Sequence, residues 1–201
     1  GVEPQDWNGS NVDQTVFNKN AHSDALVTRQ KEGDNSYVRL VCTKVGAKIV
    51  QGLGAIEIKA EAPAFINFGT PWVYAVSSKN TCDGGMPFSY KPDAIKGRYK
   101  RTPAATKEKA RIIAYLWSGT FKSSIPSGKS TRMQDDVDRA IMGRVSGVTG
   151  DGKLVASCDY GFETTKNNDW EEIVVPINYK LTDVVPTKMN VIISSDDYWN
   201  R

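Results

Sequence analysis

The sequence contains few of the residues and motifs that most metal sites and nucleophilic active sites require. Its 201 residues contain one histidine, His22, in the polar stretch NAHSDAL. A single histidine excludes HExxH zinc sites and His-rich metal clusters within one chain. The sequence also contains no Gly-x-Ser-x-Gly, so the elbow that carries a Ser-His-Asp triad in hydrolases is absent. We therefore expect His22 to lie in a solvent-facing loop.

Cysteine is scarce as well. Cys42, Cys82 and Cys158 lie far apart and form no Cys-x-x-Cys pair. At most one disulfide can form among them, which would leave one thiol over. We expect buried or incidental thiols, and the sequence leaves their disulfide state open.

An excess of one charge and long apolar runs are also missing. Lys and Arg number 26 and Asp and Glu number 23, a balance of +3 that gives no indication of a nucleic-acid partner. No apolar run approaches the roughly 20 residues of a membrane span. The stretch SSIPSGKST ends like a phosphate-binding loop, but Ser123 stands where that motif needs its first glycine. We expect no nucleotide, no nucleic acid and no membrane-spanning segment.

What the sequence does contain is apolar residues that alternate with polar ones. β-branched and aromatic runs with a period of two are separated by Gly, Pro, Asn and Asp clusters, which is typical of antiparallel sheets. We predict one all-β domain over residues 1–201, an antiparallel two-sheet sandwich of the jelly-roll type, with residues 1–20 as a candidate N-terminal extension. The clearest strands are predicted at 36–44, 54–60, 110–118, 171–179 and 188–195.

One segment departs from this alternation. STRMQDDVDRAIMGR, residues 130–144, carries apolar residues at helical spacing and predicts a short helix. Its acidic cluster of Asp135, Asp136 and Asp138 is predicted to be the solvated first turn of that helix. The cluster does not match a calcium loop, so we expect no cofactor, with a surface calcium ion as the one alternative left open.

A motif at residues 84–101 indicates a family. GGMPFSYKPDAIKGRYKR, followed by IIAYLW, DWEEIVVPINYK and MNVIISSDDYW, resembles the carbohydrate metabolism domain family, a jelly-roll domain of bacterial surface and secreted proteins. The residues that match the family pattern are Gly85, Pro87, Phe88, Pro92, Gly97, Tyr99, Lys100, Trp170, Pro176, Tyr179, Ser194 and Ser195. Ile95 stands where the family has leucine. Arg98 and Arg101 stand where the family has tyrosines.

The resemblance implies a carbohydrate-associated role in bacterial glycan utilisation. It also implies a secreted, periplasmic or outer-membrane lipoprotein location, with a neighbouring domain or surface protein as a further partner. In the family a closing strand follows the Ser-Ser loop. The sequence leaves open whether that strand lies beyond Arg201 or the sheet closes differently.

Sugar binding on a sandwich uses aromatic rings that are rimmed by polar groups. We expect a non-catalytic glycan site with a basic rim that would favour acidic glycans. Its candidate residues are Trp72, Tyr74, Arg98, Lys100, Arg111, Tyr115 and Trp117. A competing interpretation makes Tyr115 and Trp117 core residues, because buried aromatics are common.

Two other functions remain open at this point. A glycoside hydrolase would need a pair of carboxylates beside the sugar, and Glu57 and Glu172 both alternate outward on their strands. A structural or adaptor domain of a surface lipoprotein would need neither ring nor acid. The sequence therefore favours a binding role over an enzyme.

Independently of function, Gly97 interrupts a predicted strand, so we expect it to mark a bulge or a close backbone approach.

Overall fold

The protein is built almost entirely of antiparallel β-strands. The computed structural model describes residues 4–11, 21–23, 25–51, 54–74, 79–102, 109–127 and 130–200. Within these residues every strand pairing is antiparallel, which confirms the all-β prediction.

The described residues form nineteen strands, one α-helix and two short 3₁₀ turns. The strands in the first half of the chain are β1 (Asn8–Gly9), β2 (Ala21–Ser23), β3 (Val27–Glu32), β4 (Asn35–Leu40), β5 (Thr43–Gln51), β6 (Gly54–Ala62), β7 (Phe65–Asn67), β8 (Thr70–Tyr74), β9 (Lys79–Asp83), β10 (Met86–Pro87) and β11 (Ala94–Tyr99). The second half contains β12 (Arg111–Ser118), β13 (Phe121–Ser127), β14 (Ser130–Asp135), α1 (Asp138–Ile141), β15 (Thr149–Gly150), β16 (Lys153–Gly161), a 3₁₀ turn (Lys166–Asn168), β17 (Glu171–Pro176), β18 (Asn178–Tyr179), β19 (Lys188–Ser194) and a second 3₁₀ turn (Tyr198–Asn200).

The largest sheet is centred on β12. Its strand order is β1-β7-β19-β12-β16-β18, and β10 also pairs with β19. Tyr115, in the middle of β12, lies opposite Ser157 on one side and Asn190 on the other. With a partner on each edge, β12 has its backbone groups satisfied within the sheet and can be apolar on both faces.

The two faces of β12 support separate cores. Ile113, Tyr115 and Trp117 pack into one cluster, and Ile112, Ala114 and Leu116 pack into the other. All six side chains are buried. Because each large ring buries roughly 150–250 Å², losing one such side chain would cost about 3–5 kcal/mol.

Five smaller sheets surround the central one. They are β3-β4, β11-β17, β14-β13-β15, β2-β5-β6 and β8-β9. Pro176 is the last residue of β17, which pairs only with β11 among the described strands, so it lies on an edge strand, where the missing N–H of proline is tolerated. Among the described strands, none of these sheets is closed.

The predicted helix over 130–144 is wrong in most of its length. Ser130–Asp135 is strand β14, paired in register with β13, and only the four residues of α1 are helical. The two segments meet at Asp136, whose φ of +54° ends the strand. The pairing of β13 with β14 satisfies the backbone of both strands, which outweighs the weak helical spacing of the apolar residues.

The structure describes the positions of the single histidine and of the three cysteines. His22 lies on strand β2 and not in the predicted loop. None of the three cysteines forms a disulfide: Cys42 is exposed, and Cys82 and Cys158 are buried. The expectation of buried or incidental thiols is therefore confirmed.

The predicted role of Gly97 is not supported. Pairing of β11 with β17 runs without a shift through Gly97 and Ile173, so there is no bulge. A Cβ added at Gly97 would meet nothing within 4 Å. The glycine with a close approach is Gly85, where an added Cβ would lie 2.3 Å from the Met189 carbonyl oxygen and 2.8 Å from the Trp117 ring.

We predict opposite effects for alanine at these two glycines. Gly85→Ala should lower the free energy of unfolding by about 1–3 kcal/mol, because neither the backbone of β19 nor a fully buried ring can move aside. Gly97→Ala should leave it unchanged or raise it by up to about 1 kcal/mol, because alanine restricts the unfolded chain and clashes with nothing. Urea unfolding followed by tryptophan fluorescence measures both. A destabilised Gly97→Ala together with a neutral Gly85→Ala would contradict this assignment.

Candidate functional site

The predicted aromatic platform on β12 lies inside the protein. Tyr115 and Trp117 are both 0% exposed, and their ring centroids are 5.4 Å apart. Asn190 donates a hydrogen bond to the Tyr115 hydroxyl at 2.8 Å, and burial raises the Tyr115 pKa well above its ordinary value. The interpretation of the two rings as core residues is the observed one, so neither can offer a surface to a sugar.

The other predicted residues are dispersed. Arg111 is half-buried and its guanidinium lies 2.7 Å from the Asp159 carboxylate, which also accepts a hydrogen bond from the Trp199 indole at 2.9 Å. This ion pair explains Arg111 as a residue that anchors the C-terminal turn. Lys100 follows β11 and is exposed. Trp72 and Tyr74 belong to β8, and their side chains lie outside the described part of the structure.

Arg98 is the predicted residue that lines a concave surface. We call this surface the hairpin groove; it is formed by the β3-β4 hairpin on one side and the β11-β17 sheet on the other. Its volume is about 320 Å³. The residues that line it are Glu32, Asn35, Ser36, Tyr37, Arg98 and Trp170.

The local sequence explains how the hairpin wall forms. Glu32 pairs with Asn35 across a two-residue turn of Gly33 and Asp34. Gly33 has a φ of +59°, and glycine at the first position of such a turn accommodates this without strain. The turn therefore fixes Glu32 and Asn35 side by side at the tip of the hairpin.

The opposite wall comes from the β11-β17 sheet. Arg98 on β11 lies opposite Glu172 on β17, and Trp170 immediately precedes β17. Lys96 and Arg98 are both exposed on β11 and share the face of the strand that points away from Ile95 and Tyr99. The alternation of this strand thus places Arg98 in the groove and leaves the apolar residues for the core.

An aromatic pair joins the two walls. The ring centroids of Tyr37 and Trp170 lie 5.1 Å apart at an interplanar angle of 74°, an edge-to-face contact. The Trp170 indole donates a hydrogen bond to Glu32 Oε2 at 2.7 Å. Both rings are half-buried, so they present part of their surface to the groove.

Arg98 and Asn35 have side chains that are available to a ligand. Among the described residues, neither side chain forms a hydrogen bond or an ion pair. A guanidinium offers only donors and an amide offers donors and an acceptor. With the Glu32 carboxylate as an acceptor, the groove contains hydrogen-bond donors and acceptors beside two aromatic rings.

Little in the sequence indicates this groove. Trp170 stands out only as a match to the family pattern, and Tyr37 only as one residue of a strand. Glu32 and Trp170 are separated by 138 positions. The available signals were the hairpin turn after Glu32 and the exposed tryptophan-containing loop before β17, and neither links one segment to the other.

A second polar cluster lies in the core. Asp138 is fully buried; its Oδ2 accepts a hydrogen bond of 2.6 Å from the Tyr198 hydroxyl, and its Oδ1 accepts one of 2.6 Å from the Arg139 amide. Burial raises the pKa of Asp138 to about 6, against the lowering effect of the Tyr198 hydroxyl and the Arg139 charge. The raised pKa thus belongs to a core residue and not to a cleft acid.

The predicted solvated acidic cluster is accordingly wrong for two of its three members. Asp136 is buried, accepts a hydrogen bond from the Phe121 amide at 2.8 Å and contacts the Lys188 ammonium at 2.6 Å. Asp138 is buried as described, and only Asp135 is exposed. The carboxylates face inward because they bind backbone amides, a hydroxyl and an ammonium that need acceptors.

Metal binding finds no further support in the described residues. Across these ranges no group of three or more His, Cys, Asp or Glu side chains is placed to hold an ion. The surface calcium alternative stays a prediction. In the same residues, no helix is both long and apolar enough to cross a membrane.

Comparison with known proteins adds no relative. No protein-family model, no curated protein and no solved structure matches this chain. The site must therefore be interpreted from its own chemistry.

We predict that Asp138 makes stability depend on pH. A folded-state pKa of about 6, raised above the ordinary value of 3.8, means that the folded protein binds the proton more tightly than the unfolded chain does. This contribution is fully present below about pH 4 and is lost as the pH rises through about 6. Its size is about 3 kcal/mol at most, since one pKa unit corresponds to about 1.4 kcal/mol.

The measurement is the free energy of unfolding from pH 4 to pH 8 in wild type and Asp138→Asn. We expect the variant to show a flatter profile over this range, because asparagine does not titrate. Asp183→Asn, at an exposed loop position, serves as the matched control and should keep the wild-type slope. Identical slopes in all three proteins would show that Asp138 does not carry this dependence.

Proposed function

We propose that the protein is a non-catalytic carbohydrate-binding domain that acts in bacterial glycan utilisation and binds its ligand in the hairpin groove. In this proposal the domain is a jelly-roll module of an exported surface protein. The observation that carries it is the pair of half-buried rings, Tyr37 and Trp170, bordered by polar side chains with free hydrogen-bonding capacity.

The chemistry of the groove supports this choice. Sugar rings have apolar C–H faces and a perimeter of hydroxyl groups. An indole or phenol ring can contact the apolar face, while Arg98, Asn35 and Glu32 can bond the hydroxyls. The Trp170–Glu32 hydrogen bond holds the indole in place before any ligand arrives, which reduces the entropy lost on binding.

The size of the groove limits the ligand. Its volume of about 320 Å³ lies at the lower end of the roughly 300–1,000 Å³ that small-molecule sites occupy. A short glycan segment fits that range. Contacts with two rings and hydrogen bonds to a few hydroxyls favour binding, and the entropy lost when the ligand is immobilised opposes it. We expect a dissociation constant of about 10 μM to 1 mM.

A hydrolytic function has less support. Both standard mechanisms of glycoside hydrolysis need two carboxyl groups that flank the scissile bond. Among the residues that line the groove, Glu32 is the one carboxylate, and it already accepts the indole N–H of Trp170. An adaptor function remains the alternative if no glycan binds.

We predict that Trp170→Ala weakens glycan binding by tenfold or more and leaves the fold intact. The probes are cellohexaose, xylohexaose, mannohexaose and hexagalacturonate, titrated by isothermal calorimetry. Wild type should bind at least one of them with the affinity given above. Trp170→Ala should weaken that binding by tenfold or more, because it removes the ring contact and releases Glu32.

Tyr90→Ala is the matched control. Tyr90 is 74% exposed and lies outside the groove, so its replacement removes an accessible ring elsewhere. Its binding should equal that of wild type. The proposal would be overturned if wild type bound none of the four probes. It would also be overturned if Trp170→Ala bound them with the wild-type dissociation constant. Release of reducing ends during the titration would instead identify an enzyme.

A further inference from the structure

The charges in the hairpin groove restrict the class of sugar that it can hold. This inference rests on the proposed function and concerns selectivity. Glu32 and Arg98 are the two ionised groups that line the groove, and they carry opposite charges. A ligand in this space must therefore satisfy an anionic acceptor and a cationic donor together.

Glu32 has a fixed position in the groove. Its Oε2 accepts the Trp170 indole N–H at 2.7 Å, and no further hydrogen bond to its carboxylate is formed within the described residues. The free lone pairs of a carboxylate accept hydrogen bonds and cannot donate them at neutral pH. The ligand group that meets Glu32 must be a donor such as a sugar hydroxyl.

Arg98 supplies the complementary group. Its guanidinium makes no ion pair with Glu172, although the two residues lie opposite each other in the β11-β17 pairing. A guanidinium fork has five donors in one plane and accepts nothing. The ligand group that meets Arg98 must be an acceptor, a role that a hydroxyl or ring oxygen can fill.

A neutral polyhydroxylated ring offers both donors and acceptors around its perimeter and can therefore satisfy Glu32 and Arg98 together. A uronic acid carboxylate would be attracted by Arg98 but would stand in the same small groove as the Glu32 carboxylate. Like charges brought together at a binding surface oppose association and exclude unwanted partners. The net charge of the two ionised lining residues is zero, so the lining itself has no surplus positive charge that would compensate for a second anion.

We propose that the hairpin groove selects neutral pyranosides, with Glu32 as the hydroxyl acceptor that excludes uronic acids and Arg98 as the donor. This replaces the expectation of an acidic glycan, which rests on Arg98 and Lys100 without Glu32. Lys100 does not line the groove, so its charge lies outside the ligand space. Glu32 is thus a specificity-determining residue as well as a support for the Trp170 ring.

The test compares sugars that differ at C6, where the acidic member of each pair has a carboxylate and the neutral member a hydroxymethyl group or a methyl ester. The probes are cellohexaose against the β-1,4-linked glucuronate hexamer, mannohexaose against the β-1,4-linked mannuronate hexamer, and methyl-esterified hexagalacturonate against free hexagalacturonate. Dissociation constants are measured at low and at physiological salt. We expect wild type to bind the neutral member of at least one pair about fivefold or more tightly than its acidic counterpart.

The decisive variant is Glu32→Gln. Glutamine keeps a carbonyl oxygen as acceptor for the indole N–H, so the ring should stay in place; it removes the charge and replaces the second oxygen with an NH2 donor. We expect the selectivity ratio to fall to within about twofold, through tighter binding of the acidic sugar. Glu163→Gln makes the same chemical change at an exposed position outside the groove and should leave the ratio unchanged.

The outcomes separate this inference from the proposed function. Equal binding of neutral and acidic sugars, or preference for the acidic ones, would overturn the selectivity proposal while glycan binding itself stands. An unchanged ratio in a folded Glu32→Gln protein would overturn the assigned role of Glu32. Absence of binding to all six probes would overturn both proposals.

Discussion

The structure depends on one strand that is buried on both faces. Six consecutive side chains of β12, Ile112 to Trp117, are shielded from solvent, and their alternate directions create two cores. The strand must have a neighbour on each edge, because buried backbone groups need partners. Strands β16 and β19 provide them, and the remaining strands of the central sheet extend from these two.

This constraint also decides where a ligand can bind. Tyr115 and Trp117 stabilise the core and would cost several kcal/mol to expose, so they cannot form a platform on the surface. The accessible rings belong to peripheral elements, the β3-β4 hairpin and the loop before β17. These elements meet through the Tyr37–Trp170 contact and the hydrogen bond to Glu32. The groove is thus held by a few side-chain contacts between segments that share no strand pairing.

The sequence predicts what depends on local pattern. Apolar and β-branched runs predict the antiparallel strands, among them residues 110–118, which contain β12. Local pattern fails where long-range pairing competes, as at β14, where apolar residues at helical spacing lie in a strand because β13 is available to pair. It also fails for Gly97 and Gly85, because whether a Cβ fits depends on β19 and Trp117, far away in the chain.

The groove could not be predicted, since its walls come from hairpin and loop residues 138 positions apart. Of the predicted site residues, Arg98 lines the groove, whereas Tyr115 and Trp117 lie in the core.

The claim that the hairpin groove is the glycan site is tested most directly by the indole N–H signals in a two-dimensional ¹H–¹⁵N NMR titration. The protein has five tryptophans, so each indole can be followed separately. Saturable movement of the Trp170 signal with a neutral hexasaccharide, while the signal of the buried Trp117 stays in place, is the predicted result. An unmoved Trp170 signal at sugar concentrations that saturate binding measured by calorimetry would contradict the account.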